Sequence, residues 1–128
     1  EKFPEEHCKK TEQILNEQNW DAEYIRAIIS HGYGCVNDVE PNTILEKTLY
    51  AIDELTGLIT ACALVRPSKS IMDLEVKSVK KKWKEKSFAA GANREVILKG
   101  AEMLGMELDV LIKHTIEGMK PIAKEINL

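Results

Sequence analysis

Apolar residues recur along most of the chain at spacings of three and four, and no stretch has the strict alternation of a half-buried strand. The pattern predicts an all-α protein of about six helices. Pro4 suits the first turn of a helix, Glu5 and Glu6 favour its positive end, and Cys8, Ile14 and Leu15 give it a sparse apolar stripe that should end near Asn19. Asp21 is positioned to cap a second helix, in which Ala22, Ile25 and residues 27–29 lead up to His31. Gly32-Tyr33-Gly34 then ends that helix and lets the backbone turn sharply. The longest periodic run extends from Thr43 to about Val65 and carries Ile44, Leu49, Ile52, Leu55, Ile59 and Ala63, with Asn42 as its expected cap.

Beyond Arg66-Pro67-Ser68, Asp73 is the expected cap of a short helix with Leu74, Val76, Val79 and Trp83 on one face and lysines on the other. Asn93 should cap a fifth helix ending around Gly105. The last helix runs from about Glu107 to Ile126, and Pro121 should kink or divide it. A length of 128 residues suits one helical bundle, residues 1–128, around a single core.

Composition supports this reading: 44% of residues are apolar and 30% charged, as in a compact helical protein rather than a disordered one. The net charge of −3 hides an asymmetry, with 5 basic and 12 acidic side chains in residues 1–65 against 13 and 9 in residues 66–128. An acidic half suits divalent cations and a basic half suits phosphates, yet solvated helix surfaces give the same counts. Cys8, Cys35 and Cys62 form no CxxC pair, which argues against a zinc knuckle or a redox dithiol. They read as small core residues of a reduced, cytoplasmic protein. The strongest apolar stretch, Leu58 to Val65, falls far short of the ~20 residues of a membrane span, so no membrane partner is expected.

Three histidines occur. His7 lies in the first turn of the first helix behind two carboxylates, and His31 ends the second helix beside the glycine turn. Asp53, between Ile52 and Leu55, is expected to turn towards the apolar side of the central helix, where an unpaired carboxylate is costly. Two imidazoles and a carboxylate suit a divalent transition metal ion such as Fe, Mn or Zn. Plainer roles stay open: His31 also suits a helix-end dipole partner, and Asp53 a solvent-facing position. His114, among Leu111, Ile112 and Ile116, reads as structural, with no serine and acid at triad spacing.

Taken together, E-E-H at Glu5 to His7, I-S-H-G-Y-G at Ile29 to Gly34 and A-I-D-E-L-T-G at Ala51 to Gly57 resemble the later motifs of the HD-domain metal-dependent phosphohydrolases. The resemblance extends in order and helical context over most of the chain. It implies an all-α HD-like domain in which His7 and His31 take later histidine positions and Asp53 the final aspartate. The family's early His and its adjacent His-Asp pair are missing, and no His-Asp pair occurs in these 128 residues. The expectation is therefore an N-terminally incomplete domain, whose upstream part would supply that motif.

With it, the implied activity is metal-assisted hydrolysis of a small phosphorylated or nucleotide-like molecule, with Arg66, Lys82 and Lys86 as phosphate-binding candidates. Without it, the alternative is a non-catalytic helical binding or regulatory module derived from an HD domain. Six lysines between Lys77 and Lys86 around Trp83 also suggest a nucleic-acid patch. Trp83, however, shares the apolar face with Val76 and Val79, so nucleic acid is not the expected partner.

Overall fold

A computed structural model describes residues 6–128, so the roles expected of Pro4 and Glu5 lie outside the described residues. It contains six α-helices and, among the described residues, no β-strand, only an isolated bridge between Tyr33 and Asn37. No helix among them is long and apolar enough to cross a membrane. The buried apolar residues form two clusters, where the chain length suggests a single core, and the chain divides into two compact units, one reaching Tyr50 and one covering Ala51–Leu128.

In the first unit, α1 (His7–Glu17) packs on α2 (Ala22–Ser30), burying Cys8, Leu15, Ile25 and Ile29 together. Asp21 occupies the position before α2, but its side chain makes no cap bond. The start of α3 (Ile44–Leu64) is closed differently from the sequence expectation. Thr43 Oγ1 accepts the Glu46 N–H at 3.2 Å, while Glu46 Oε1 accepts the N–H groups of Asn42 and Thr43 at 2.8 and 3.2 Å. This is a capping box, and it satisfies donors that Asn42 alone could not. Arg26 Nε lies 3.3 Å from Glu46 Oε2, whose side chain is only 3% exposed, and Arg26 also donates to the Glu40 carbonyl. Burial pushes the Glu46 carboxyl up, but the two backbone N–H bonds and the Arg26 charge outweigh it and hold the group below its ordinary value.

The second unit contains the rest of α3, α4 (Val76–Trp83), α5 (Arg94–Met103), α6 (Leu108–Met119) and a 3₁₀ turn (Lys120–Ile122). Leu55, Leu58, Ile59, Ile71, Ile97 and Ile112 are fully buried at its centre. Gly100 is required by packing, since a Cβ there would stand 2.4 Å from Ala51 Cα, so α5 meets α3 nearly backbone to backbone. Asn93 caps α5 as expected, accepting from the N–H groups of Glu95 and Val96. Pro121 ends regular α-helix at Met119, because its ring supplies no N–H.

Asp73 is not the cap of α4. Glu75 occupies that position, and Asp73 instead meets Arg66 at 3.4 Å and Ser68 at 3.0 Å. Arg66 first and Ser68 second hold its carboxyl below the usual range. His114 is a second correction: its side chain is 59% exposed and lies 3.8 Å from Glu117, while Leu111, Ile112 and Ile116 are buried. Cys35 is a third, being exposed where a core residue was expected; Cys8 and Cys62 are buried.

Candidate metal centre

His7 stands at the first residue of α1 and His31 directly after the last residue of α2, so the pairing of these two helices brings their imidazoles together. The two Nε2 atoms are 2.7 Å apart, and the rings meet edge to face. His31 Nδ1 lies against the Ile28 carbonyl, which can only accept, so Nδ1 carries the hydrogen. In neutral His31 this leaves Nε2 as a bare lone pair directed at His7. A ring nitrogen held by a backbone carbonyl, with the opposite nitrogen exposing its lone pair, is the usual arrangement of a metal-binding histidine.

Cys8 completes the group. It follows His7 on α1, is 3% exposed, and its Sγ is directed to the Ile29 carbonyl at 3.4 Å. Ligand atoms of His7, Cys8 and His31 all lie within 4.8 Å of one another, and the group could hold a metal ion. On one tetrahedral ion, two imidazole nitrogens stand about 3.3 Å apart and a nitrogen and a sulfur about 3.5 Å apart, given usual bond lengths. To hold such an ion the imidazole nitrogens must part by about 0.6 Å and the widest donor pair, at up to 4.8 Å, must close by about 1.3 Å, movements that side-chain rotation can supply.

The glycine turn has two separate causes. A Cβ on Gly32 would meet Cys8 Sγ at 2.5 Å and Val36 Cγ2 at 2.6 Å, so Gly32 leaves the space that the sulfur occupies. Gly34 has φ +75°, the left-handed region that glycine adopts without cost. Asn37 fastens the loop by donating to the Ile29 carbonyl at 2.9 Å and accepting from the Val39 N–H.

Asp53 lies in the second unit and is exposed, contrary to the expectation that it turns towards the apolar side. It lines a shallow surface hollow with Glu54, Gly57, Ala89, Gly91 and Ala92, and it is not one of the three grouped ligands. The phosphate-binding candidates are also in the second unit. Arg66 is engaged by Asp73 and Ser78, and Lys82 by Glu85 at 3.1 Å and the Phe88 ring. Lys86 is exposed beside a hollow that includes Trp83, Lys84 and Arg94. Other lysines of α4 are paired too, Lys80 with Asp109 at 2.8 Å and Lys77 with Glu75 at 3.0 Å, as on an ordinary solvated helix face. Trp83 packs partly buried against the core, as its spacing predicts.

Cys8 is the residue that sequence reasoning missed as a candidate ligand. Its signal was the adjacency His7-Cys8, which the search for CxxC spacing passes over. No family model, no curated protein and no solved structure matches the chain.

Proposed function

We propose that the chain is a metal-binding helical module of HD-like fold, in which His7 and His31 hold one divalent transition metal ion. The observation that carries this reading is the 2.7 Å approach of two Nε2 atoms, with His31 fixed by the Ile28 carbonyl. Such an ion supplies Lewis acidity and a bound water of lowered pKa. His31 contributes a preoriented lone pair, and His7 contributes the second nitrogen once its hydrogen has moved to Nδ1. Binding, rather than turnover, is the function that the geometry supports best. The residues 1–128 contain no His-Asp pair, and Asp53 is exposed in the other unit. Hydrolysis of a small phosphorylated or nucleotide-like substrate, the activity implied by the HD resemblance, is the extension of this reading to a chain with an upstream His-Asp motif. Three cysteines without a disulfide suit a reducing compartment such as the cytoplasm.

The test is metal content and isothermal titration of the purified chain, His7→Ala and His31→Ala, together with turnover of a simple aryl phosphoester. One ion per chain and at least about a tenfold loss of affinity in each variant are expected, since even outer partners of a metal centre matter on that scale. Metal content unchanged in both variants would overturn the assignment. A matching loss in Asp53→Ala would add that carboxylate to the donor set.

A further inference from the structure

We infer that Cys8 binds the same ion as a thiolate, making a two-imidazole, one-thiolate site that selects zinc-like ions and rejects magnesium, calcium and manganese. This rests on the metal reading of His7 and His31 and goes further by naming the third donor and the class of ion. Three observations carry it. The sulfur is within 4.8 Å of both imidazole donors, on the same turn of α1 as His7. Its location is built rather than incidental, because Gly32 lacks the Cβ that would otherwise stand 2.5 Å from Sγ.

The third observation concerns the thiol hydrogen. Sγ is directed to the Ile29 carbonyl at 3.4 Å, but that oxygen also accepts from Asn37 Nδ2 at 2.9 Å and from the Gly32 N–H at 3.1 Å. Losing the S–H therefore leaves the carbonyl with two donors still bound. The step balances simply: the S–H bond breaks, its proton passes to solvent buffer, and the sulfur lone pair forms the bond to the ion. No electron is transferred. A buried negative sulfur needs a cation beside it, so the thiolate forms together with metal binding. Thiolate and imidazole donors favour zinc and cobalt(II), whereas magnesium, calcium and manganese prefer carboxylate, carbonyl and water oxygens.

The experiment is titration of the full reduced chain with cobalt(II), followed by absorption, with Cys8→Ser and Cys35→Ser in parallel. The expected result is a near-ultraviolet thiolate-to-cobalt charge-transfer band with visible tetrahedral bands. The band should survive in Cys35→Ser, disappear in Cys8→Ser, and be abolished by zinc but not by about a thousandfold excess of magnesium. Cobalt binding with no such band in the unmutated chain overturns the role of Cys8 and leaves the histidine pair standing. It needs no variant, so a folding defect in Cys8→Ser cannot mask it. Persistence of the band in Cys8→Ser also overturns it. No cobalt binding at all overturns the metal reading itself.

Discussion

The contact between Gly32 and Cys8 can be measured as a coupling energy. Alanine at position 32 would bring a methyl group to 2.5 Å from Cys8 Sγ and 2.6 Å from Val36 Cγ2. Carbon and its neighbours pack comfortably only from about 3.5 Å, so each contact overlaps by roughly 1 Å. Val36 is exposed and can rotate its methyl away, but Cys8 is buried in the α1–α2 cluster and cannot. Overpacking of this kind costs about 1–3 kcal/mol, most of it here assigned to the sulfur. Gly32 is not among the residues with positive φ, so alanine adds no backbone strain. It even removes freedom from the unfolded chain, a gain of about 0.4–1 kcal/mol.

Gly32→Ala should therefore destabilise the chain by about 1–2 kcal/mol when Cys8 is present and be close to neutral in a Cys8→Ala background, on those same terms. The assay is urea unfolding of the four proteins of the double-mutant cycle, followed by far-ultraviolet circular dichroism in the presence of a chelator, so that metal linkage does not enter. The loss of the Cys8 hydrogen bond to Ile29 occurs in both rows of the cycle and cancels. Additivity within about 0.5 kcal/mol would refute the reasoning.

Glu46→Gln should cost about 1.5–3 kcal/mol at neutral pH, the range for buried bonds to a charged group. The folded carboxyl titrates below its ordinary value of 4.5, so its contribution is complete above pH 4.5 and is lost as pH falls through the lowered folded value. Unfolding midpoints of the unmutated chain and Glu46→Gln should therefore converge on acidification; because Gln still offers an acceptor to the capping box, parallel curves would contradict the stabilising role of the carboxylate charge beside Arg26. Gly100→Ala should destabilise by roughly 1–3 kcal/mol or more. Ala51→Gly should not rescue it, because the nearest obstacle is Ala51 Cα at 2.4 Å, and rescue would mean that the side chain alone sets the helix distance. Gly57→Ala, in α3 with nothing within 4 Å of the new methyl, should raise stability by about 0.5–1 kcal/mol. A loss in thermal unfolding would show the position to be occupied.

Periodicity made the six helices legible because each must bury one stripe, and Asn93 and Pro121 worked as punctuation because their effects are local. What could not be read were the choices made by distant partners. Asp21 and Asp73 have the chemistry of caps, yet Asp21 makes no cap bond, and Asp73 is taken by Arg66 and Ser68 across a loop. Asn42 yields its expected role to Thr43 and Glu46, a pair whose T-x-x-E spacing is present in the sequence. The expectation for Asp53 went wrong by one helical step: Ile52 and Leu55 flank it in sequence, but 100° per residue leaves it exposed between them. His114 is misread for the same reason.

Gly32, Gly34 and Ala51, which lie within the segments compared with HD motifs, have local physical causes. Gly32 makes room for Cys8, Gly34 takes a left-handed φ, and Ala51 lies against Gly100. Any helical protein with these contacts would need the same letters, so they weigh little in choosing between a phosphohydrolase and a binding module. Packing does not require His31 in the same way, since its ring is only half-buried and two ring nitrogens are directed at the Ile28 carbonyl and at His7. The discriminating residues are therefore the ones whose chemistry exceeds what the fold needs, namely His7 and His31. With the Cys8 sulfur in place of a carboxylate as third donor, the same pair would exchange its one oxygen ligand for a softer one, favouring zinc and cobalt(II). A thiolate-to-cobalt band therefore decides the third donor, while turnover of a phosphoester decides between the two functions.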